Sequence, residues 1–134
     1  TRVDFLGGIN VYTTASNKRM IGNFVYEYTR DNGETFPIVG FENHNGQTWL
    51  GEGVQPMGKI LKGYGNNGED GTEGARYKNV FATYSHGPLL PKNARIADEL
   101  LGIAYERKYG EALPPLEHDM EDAALNDVKQ QLGC

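Results

Sequence analysis

Gly40-Phe41-Glu42-Asn43-His44-Asn45-Gly46, answered farther along by Tyr84-Ser85-His86-Gly87-Pro88-Leu89, decides how this chain is read. Each run sets a histidine beside glycine at the end of a β-rich segment, where the backbone can bend and an imidazole can face a cleft. Together they suggest half of a nucleophile–base pair. The other half, a reactive cysteine in a tight strand–helix turn, has no counterpart among the 134 residues. The one cysteine, Cys134, follows Gln-Gln-Leu-Gly as the last residue. An activated thiol needs a helix N-terminus or a cationic neighbour and a rigid seat. Cys134 offers neither and is rejected as the nucleophile.

Working outward, the residues up to His44 read as β structure. Ile9-Asn10-Val11-Tyr12-Thr13-Thr14 and Asn23-Phe24-Val25-Tyr26-Glu27-Tyr28-Thr29 are rich in β-branched and aromatic residues. Ser16-Asn17-Lys18-Arg19 between them reads as a turn, and Asp31-Asn32-Gly33 as another. Phe36-Pro37-Ile38-Val39-Gly40-Phe41 is a further strand, which Pro37 places at a sheet edge or a strand start. Short strands are expected at 48–50, 59–62 and 80–84. The intervening Gly63–Gly74 stretch is too polar and glycine-rich for a core and is expected at the surface, with Glu69, Asp70 and Glu73 solvated. It lacks the ligand pattern of a calcium loop.

The last block reads as helical. Asn93 is an N-cap candidate, and Ile96, Ala97, Leu100, Leu101, Ala104 and Tyr105 recur on one helix face, which Gly110 ends. Leu113-Pro114-Pro115-Leu116 is an extended connector, and 121–132 a short polar helix with little to anchor it. The division expected is therefore residues 1–112 as one domain part and residues 113–134 as connector and polar tail.

Bulk composition narrows the class. Lys and Arg number 13 against 18 acids, a formal net charge of -5, and no basic stripe of a nucleic-acid binder is visible. No run reaches the ~18 apolar residues of a membrane span, so no membrane insertion is expected. The lone cysteine fits a reducing compartment, which makes cytoplasmic the default. No metal site is expected: His118 and the acids around it lie scattered on a polar tail.

Four residues carry the candidate chemistry. His86, at a strand end before Gly87 and Pro88, can take a thiol proton and return it to departing ammonia; it can equally just hydrogen-bond its loop. Glu42 and His44, two apart on a strand, point to one side. They line a cleft or form a buried pair that satisfies backbone groups. Arg19 can clamp a substrate carboxylate through its planar fork, or simply be solvated.

Taken together these residues resemble the class I glutamine amidotransferases of the cobyric acid synthase type, and most nearly the stand-alone glutaminase subunits of lipid II isoglutaminyl synthases. The resemblance spans about Leu6 to Tyr109. It rests on Gly22 after Lys18-Arg19-Met20-Ile21, on Gly40–Gly46 and Gly63–Asn67, on Tyr77-Lys78-Asn79-Val80-Phe81, and on Tyr84–Leu90. It implies an α/β fold: the C-terminal part of a flavodoxin-like domain, β-rich here with one main C-terminal helix. It implies a cysteine–histidine pair that hydrolyses glutamine to glutamate and ammonia without a cofactor. His86 matches the catalytic histidine through its His-Gly-Pro motif, and Arg19 the glutamine-holding arginine through its place before Ile21-Gly22.

Two departures stand out. Many relatives carry Glu two positions after the histidine, where this chain has Pro88; the narrower subfamily is expected to use a dyad. Phe5 stands where the family usually has glycine, which touches only the local turn. The resemblance also implies an ATP-dependent Mur-ligase-like partner, glutamine as substrate, and lipid II reached through that partner. The chain, which begins at Thr1, is expected to be a fragment without its nucleophile, inactive alone. Two rival readings remain. One is the glutaminase domain of a cobyrinate or cobyric acid synthase; the other is a non-catalytic β-rich binding module using Tyr12, Tyr26, Tyr28 and Trp49.

Overall fold

The computed structural model describes residues 2–133; Cys134 lies outside them. The described residues form a four-stranded antiparallel sheet, a small second hairpin and three helices. Strands β1 (Val11–Thr29), β2 (Thr35–Leu50), β3 (Gly58–Lys62) and β4 (Thr72–Glu73) order as β2-β1-β3-β4. Strands β5 (Ala75–Tyr77) and β6 (Val80–Ala82) pair with each other. Helices α1 (Leu89–Lys92), α2 (Ala94–Tyr109) and α3 (Asp119–Leu132) follow. The result is mixed α/β and strand-rich, as expected.

β1 and β2 form one long hairpin around Asp31-Asn32-Gly33, the turn the sequence indicates. There Arg30 N–H donates to Glu34 O at 2.8 Å and Gly33 takes φ 87°. Pro37 sits on β2, the edge strand, where a missing N–H breaks no ladder. Ser16–Arg19, by contrast, does not reverse the chain. β1 runs straight through it, and the register jumps from Ala15 opposite Gly46 to Met20 opposite His44. Four residues oppose Asn45 alone, so the polar run is a bulge. The strands expected separately at 36–41 and 48–50 are likewise one, and Gly40–Gly46 lies inside it rather than at an end.

The period-2 pattern of β1 drives the core. Phe24, Tyr26 and Tyr28 fall on one face and bury fully against Phe36, Ile38, Met57 and Ile96. Tyr26 and Tyr28 are thereby removed from any ligand surface, which weakens the binding-module reading. Ile96, on the first turn of α2, is the helix's main anchor. Leu101 and Ala104, expected on the same buried face, are exposed, because only the N-terminal end of α2 meets the sheet. Gly110 closes α2 in the left-handed conformation.

Asn93 precedes α2 as expected, yet its side chain does not cap the helix. Its Oδ1 accepts from Val39 N–H at 2.8 Å, and its Nδ2 donates to Val39 O at 2.8 Å and Leu89 O at 2.7 Å. The amide thus imitates a neighbouring strand and satisfies part of the open edge of β2. The tail is also better held than its composition suggests. His118 meets Asp98 of α2 at 2.6 Å, and Lys62 of β3 donates to Leu132 O.

The Gly63–Gly74 stretch departs most from expectation. Gly65, Asn66, Asn67, Glu73 and Gly74 are buried; Glu69 and Asp70 alone of the three acids are exposed. The loop packs because its polar groups find partners. Asn66 Nδ2 donates to Gly74 O at 2.9 Å while its Oδ1 accepts from Gly74 N–H at 2.9 Å. Asn67 Nδ2 reaches Thr48 O at 3.1 Å, and its Oδ1 accepts from the N–H groups of Glu69 and Asp70. Burial costs little once every donor and acceptor is paired.

Candidate active site

The site is built on four consecutive residues of β2. Phe41 pairs with His86 through the backbone: His86 N–H donates to Phe41 O at 2.8 Å, and Phe41 N–H to His86 O at 3.4 Å. The two signature runs therefore meet, and the position of His86 is set by main chain rather than by its ring. The imidazole is exposed, and no hydrogen bond or ion pair engages it among the described residues.

Close approach at Gly40 makes this pairing possible. A Cβ there would stand 2.8 Å from both Ser85 Oγ and Phe24 Cε1, below any normal contact. Only glycine lets the 84–86 segment lie this near the strand.

The next three residues recruit the remaining parts. Glu42, 1% exposed, accepts from Tyr64 N–H at 2.8 Å and Gly65 N–H at 3.0 Å, and so ties the buried loop to β2. Asn43 Oδ1 accepts from Arg19 Nε at 2.8 Å and Nη2 at 2.5 Å. That contact brings the exposed Arg19, carried by the β1 bulge, beside the same stretch. His44 Nδ1 lies 2.8 Å from Gly46 O, an acceptor only, so Nδ1 carries the proton. Its Nε2 sits 3.7 Å from Glu42 Oε2, and its ring stacks on Tyr84 at 3.6 Å and 7°. Tyr84 Oη in turn shares a 2.7 Å hydrogen bond with Thr48 Oγ1.

All four residues singled out from the sequence thus border residues 41–44. Glu42 and His44 do contact one another and face inward; His86 and Arg19 face solvent. A cleft of about 720 Å³, lined in part by Arg30, Asp31, Met57, Ile60 and Arg76, holds none of them. That cleft lacks the paired runs and their histidines, so the β2 stretch is the candidate site.

Glu73 is the functional candidate that sequence reading missed. It is fully buried, and its Oε1 accepts from Thr83 Oγ1 at 2.7 Å and Tyr84 N–H at 2.8 Å, while Oε2 has no hydrogen-bond partner among the described residues. Burial pushes its carboxyl up from the ordinary 4.5 to about 6; the Thr83 and Tyr84 bonds oppose this, and the nearby Glu42 adds to it. No spacing rule marks such a residue, and its place before Gly74 in a polar stretch points to the surface instead.

The raised value has a direct thermodynamic consequence. The folded state holds this proton more tightly than the unfolded chain. Its stabilising contribution is therefore complete below about pH 4.5 and is lost as pH rises through about 6. A gap of about 1.5 at ~1.4 kcal/mol per pKa unit amounts to about 2 kcal/mol. Urea unfolding from pH 4 to 7 should show wild type losing about that much relative to E73Q; parallel curves would refute it.

Comparison with known proteins accords with this geometry. Residues 1–94 match the CobB/CobQ-like glutamine amidotransferase domain. The chain is 46% identical over 122 residues to the lipid II isoglutaminyl synthase (glutamine-hydrolyzing) subunit GatD of Staphylococcus aureus, covering 90% of this chain and 47% of that protein. It is 39% identical over 131 residues to the same-named subunit of Streptococcus pneumoniae, covering 97% of this chain and 46% of the relative. A probable cobyric acid synthase of Methanothermobacter thermautotrophicus is 36% identical over 103 residues, 77% of this chain and 18% of the relative. The chain spans about half the length of the GatD relatives it matches. It belongs to the CobB/CobQ-like glutamine amidotransferase family.

Proposed function

We propose that this chain supplies the acid–base half of a glutaminase that releases ammonia for amidation of the lipid II D-glutamate in peptidoglycan synthesis. The observation that carries the reading is the Phe41–His86 backbone pair, which joins the two motif runs and leaves an unengaged imidazole facing solvent. In the full protein a cysteine outside residues 1–134 attacks the glutamine amide carbon after losing its proton to His86. His86 then returns a proton to the departing ammonia, and a glutamyl thioester remains. Water cleaves the thioester with His86 as base, which frees glutamate and restores the thiol.

Arg19 binds the α-carboxylate of glutamine in this scheme, exchanging Asn43 for substrate. Glu42 and His44 support the loop and the strand rather than react. Ammonia passes to an ATP-dependent Mur-ligase-like partner in the cytoplasm, which activates the acceptor carboxylate. The GatD relatives are named as subunits, which supports a partner. The shorter coverage of the cobyric acid synthase relative supports the lipid II reading over the cobyric acid one.

Labelling tests the scheme. The full-length protein treated with a diazoketone analogue of glutamine should lose glutaminase activity and carry the adduct on a cysteine outside residues 1–134. An adduct on Cys134, or none, overturns the reading. Replacing Arg19 by Ala should raise KM for glutamine by about 10-fold or more, since a charge-assisted pair to a carboxylate is lost. An unchanged KM removes Arg19 from the substrate site.

A further inference from the structure

We propose that Glu73 is a positioning residue for His86, its buried carboxyl anchoring residues 83–85 and thereby aiming the imidazole. The proposal rests on the assignment of His86 as acid and base. The geometry brackets the histidine from two directions. On one side the Phe41 backbone holds His86 itself. On the other, Glu73 Oε1 takes the Thr83 hydroxyl and the Tyr84 N–H, and the same Thr83 Oγ1 accepts from Ser85 N–H at 3.0 Å. One carboxyl oxygen therefore sets three successive residues before His86.

What the Thr83 and Tyr84 donors need is an acceptor at this place, which a neutral amide oxygen would also supply, and Glu73 Oε2 stays buried without a hydrogen-bond partner among the described residues. The Tyr26 and Ser85 hydroxyls are buried in the same cluster, where Tyr26 lies close enough to Glu73, Thr83 and Ser85 for all three to act on its phenol. A buried polar cluster kept immediately behind an exposed, unengaged histidine is the pattern of a site held for geometry.

The test uses the full-length protein with glutamine as substrate. E73A and T83A should each lower kcat by about 10- to 100-fold, the scale of a small misplacement of a reacting group, with KM within about 3-fold. E73Q, whose amide oxygen accepts the same two bonds, should keep kcat within about 3-fold. On an H86A background E73A should cost less than about 2-fold of the residual rate, because the group it positions is gone. If E73A fails to fold, T83A carries the comparison, since Thr83 is only half-buried. Equal losses with and without His86 would show a merely structural role and overturn the proposal. So would unchanged kcat in T83A, or a loss in E73Q as deep as in E73A. A normal rate in H86A sinks the assignment beneath it instead, a result distinct from the others.

Discussion

Replacement of His86 by Ala in the full-length protein is expected to lower glutamine hydrolysis by about 100-fold or more, with the fold intact. General acid–base groups contribute ~100- to 10,000-fold, and here one imidazole would serve both the thiol and the ammonia. The structure makes this a clean measurement. His86 is held by its own N–H and C=O to Phe41, and its ring makes no bond among the described residues, so alanine keeps both anchors. The midpoint of thermal unfolding should therefore move by no more than about 2 °C, as for an exposed surface change. Loss of rate with unchanged unfolding assigns the loss to chemistry. A rate within about 3-fold of wild type removes His86 from the mechanism, and with it the proposal that this chain carries the base.

The sequence told more about identity than about packing. Alternating aromatics in 23–29 and the Asp31-Asn32-Gly33 turn announced the hairpin, because both signals are local. The Gly-Phe-Glu-Asn-His and His-Gly-Pro runs marked the candidate site for a similar reason: their order along the chain is itself the signal, and Phe41 and His86 do pair. What escaped was set by distant partners. Ser16–Arg19 has the composition of a turn, and only the pairing with 44–46 shows that the strand carries on through it as a bulge. Asn93 has a capping residue's identity, yet an open strand edge at Val39 claims its amide first. The 63–74 loop looks solvated because polarity is local, whereas the satisfaction of that polarity by Thr48 and Glu42 is not. The burial and contacts of Glu73 were hidden for the same reason, since Thr83 and Tyr84 lie ten and eleven residues away.

Glu42 is where these distant partners converge, and removing its carboxyl should have the largest effect on stability. Two backbone N–H groups, of Tyr64 and Gly65, point at it, and it is almost fully buried. Alanine leaves both donors without acceptors in a space too enclosed for easy hydration. At ~1–3 kcal/mol for each stranded donor, E42A should lose about 3 kcal/mol of folding stability. Gln keeps one acceptor oxygen but turns an N–H₂ toward the second donor, so E42Q should lose about half as much. The loss should also be local before it is global. Hydrogen exchange at the Tyr64 and Gly65 amides should accelerate first, while the amides between 24–28 and 36–40 keep their protection, because their partners lie in the sheet and at Asn93 rather than in the loop. Uniform acceleration across the hairpin would mean that Glu42 holds the whole sheet. A cost in E42A below about 0.5 kcal/mol would mean that the loop is held by its asparagines alone. Only the predicted pattern makes Glu42 the clasp that keeps loop 63–74 against the strand bearing Phe41 and hence His86.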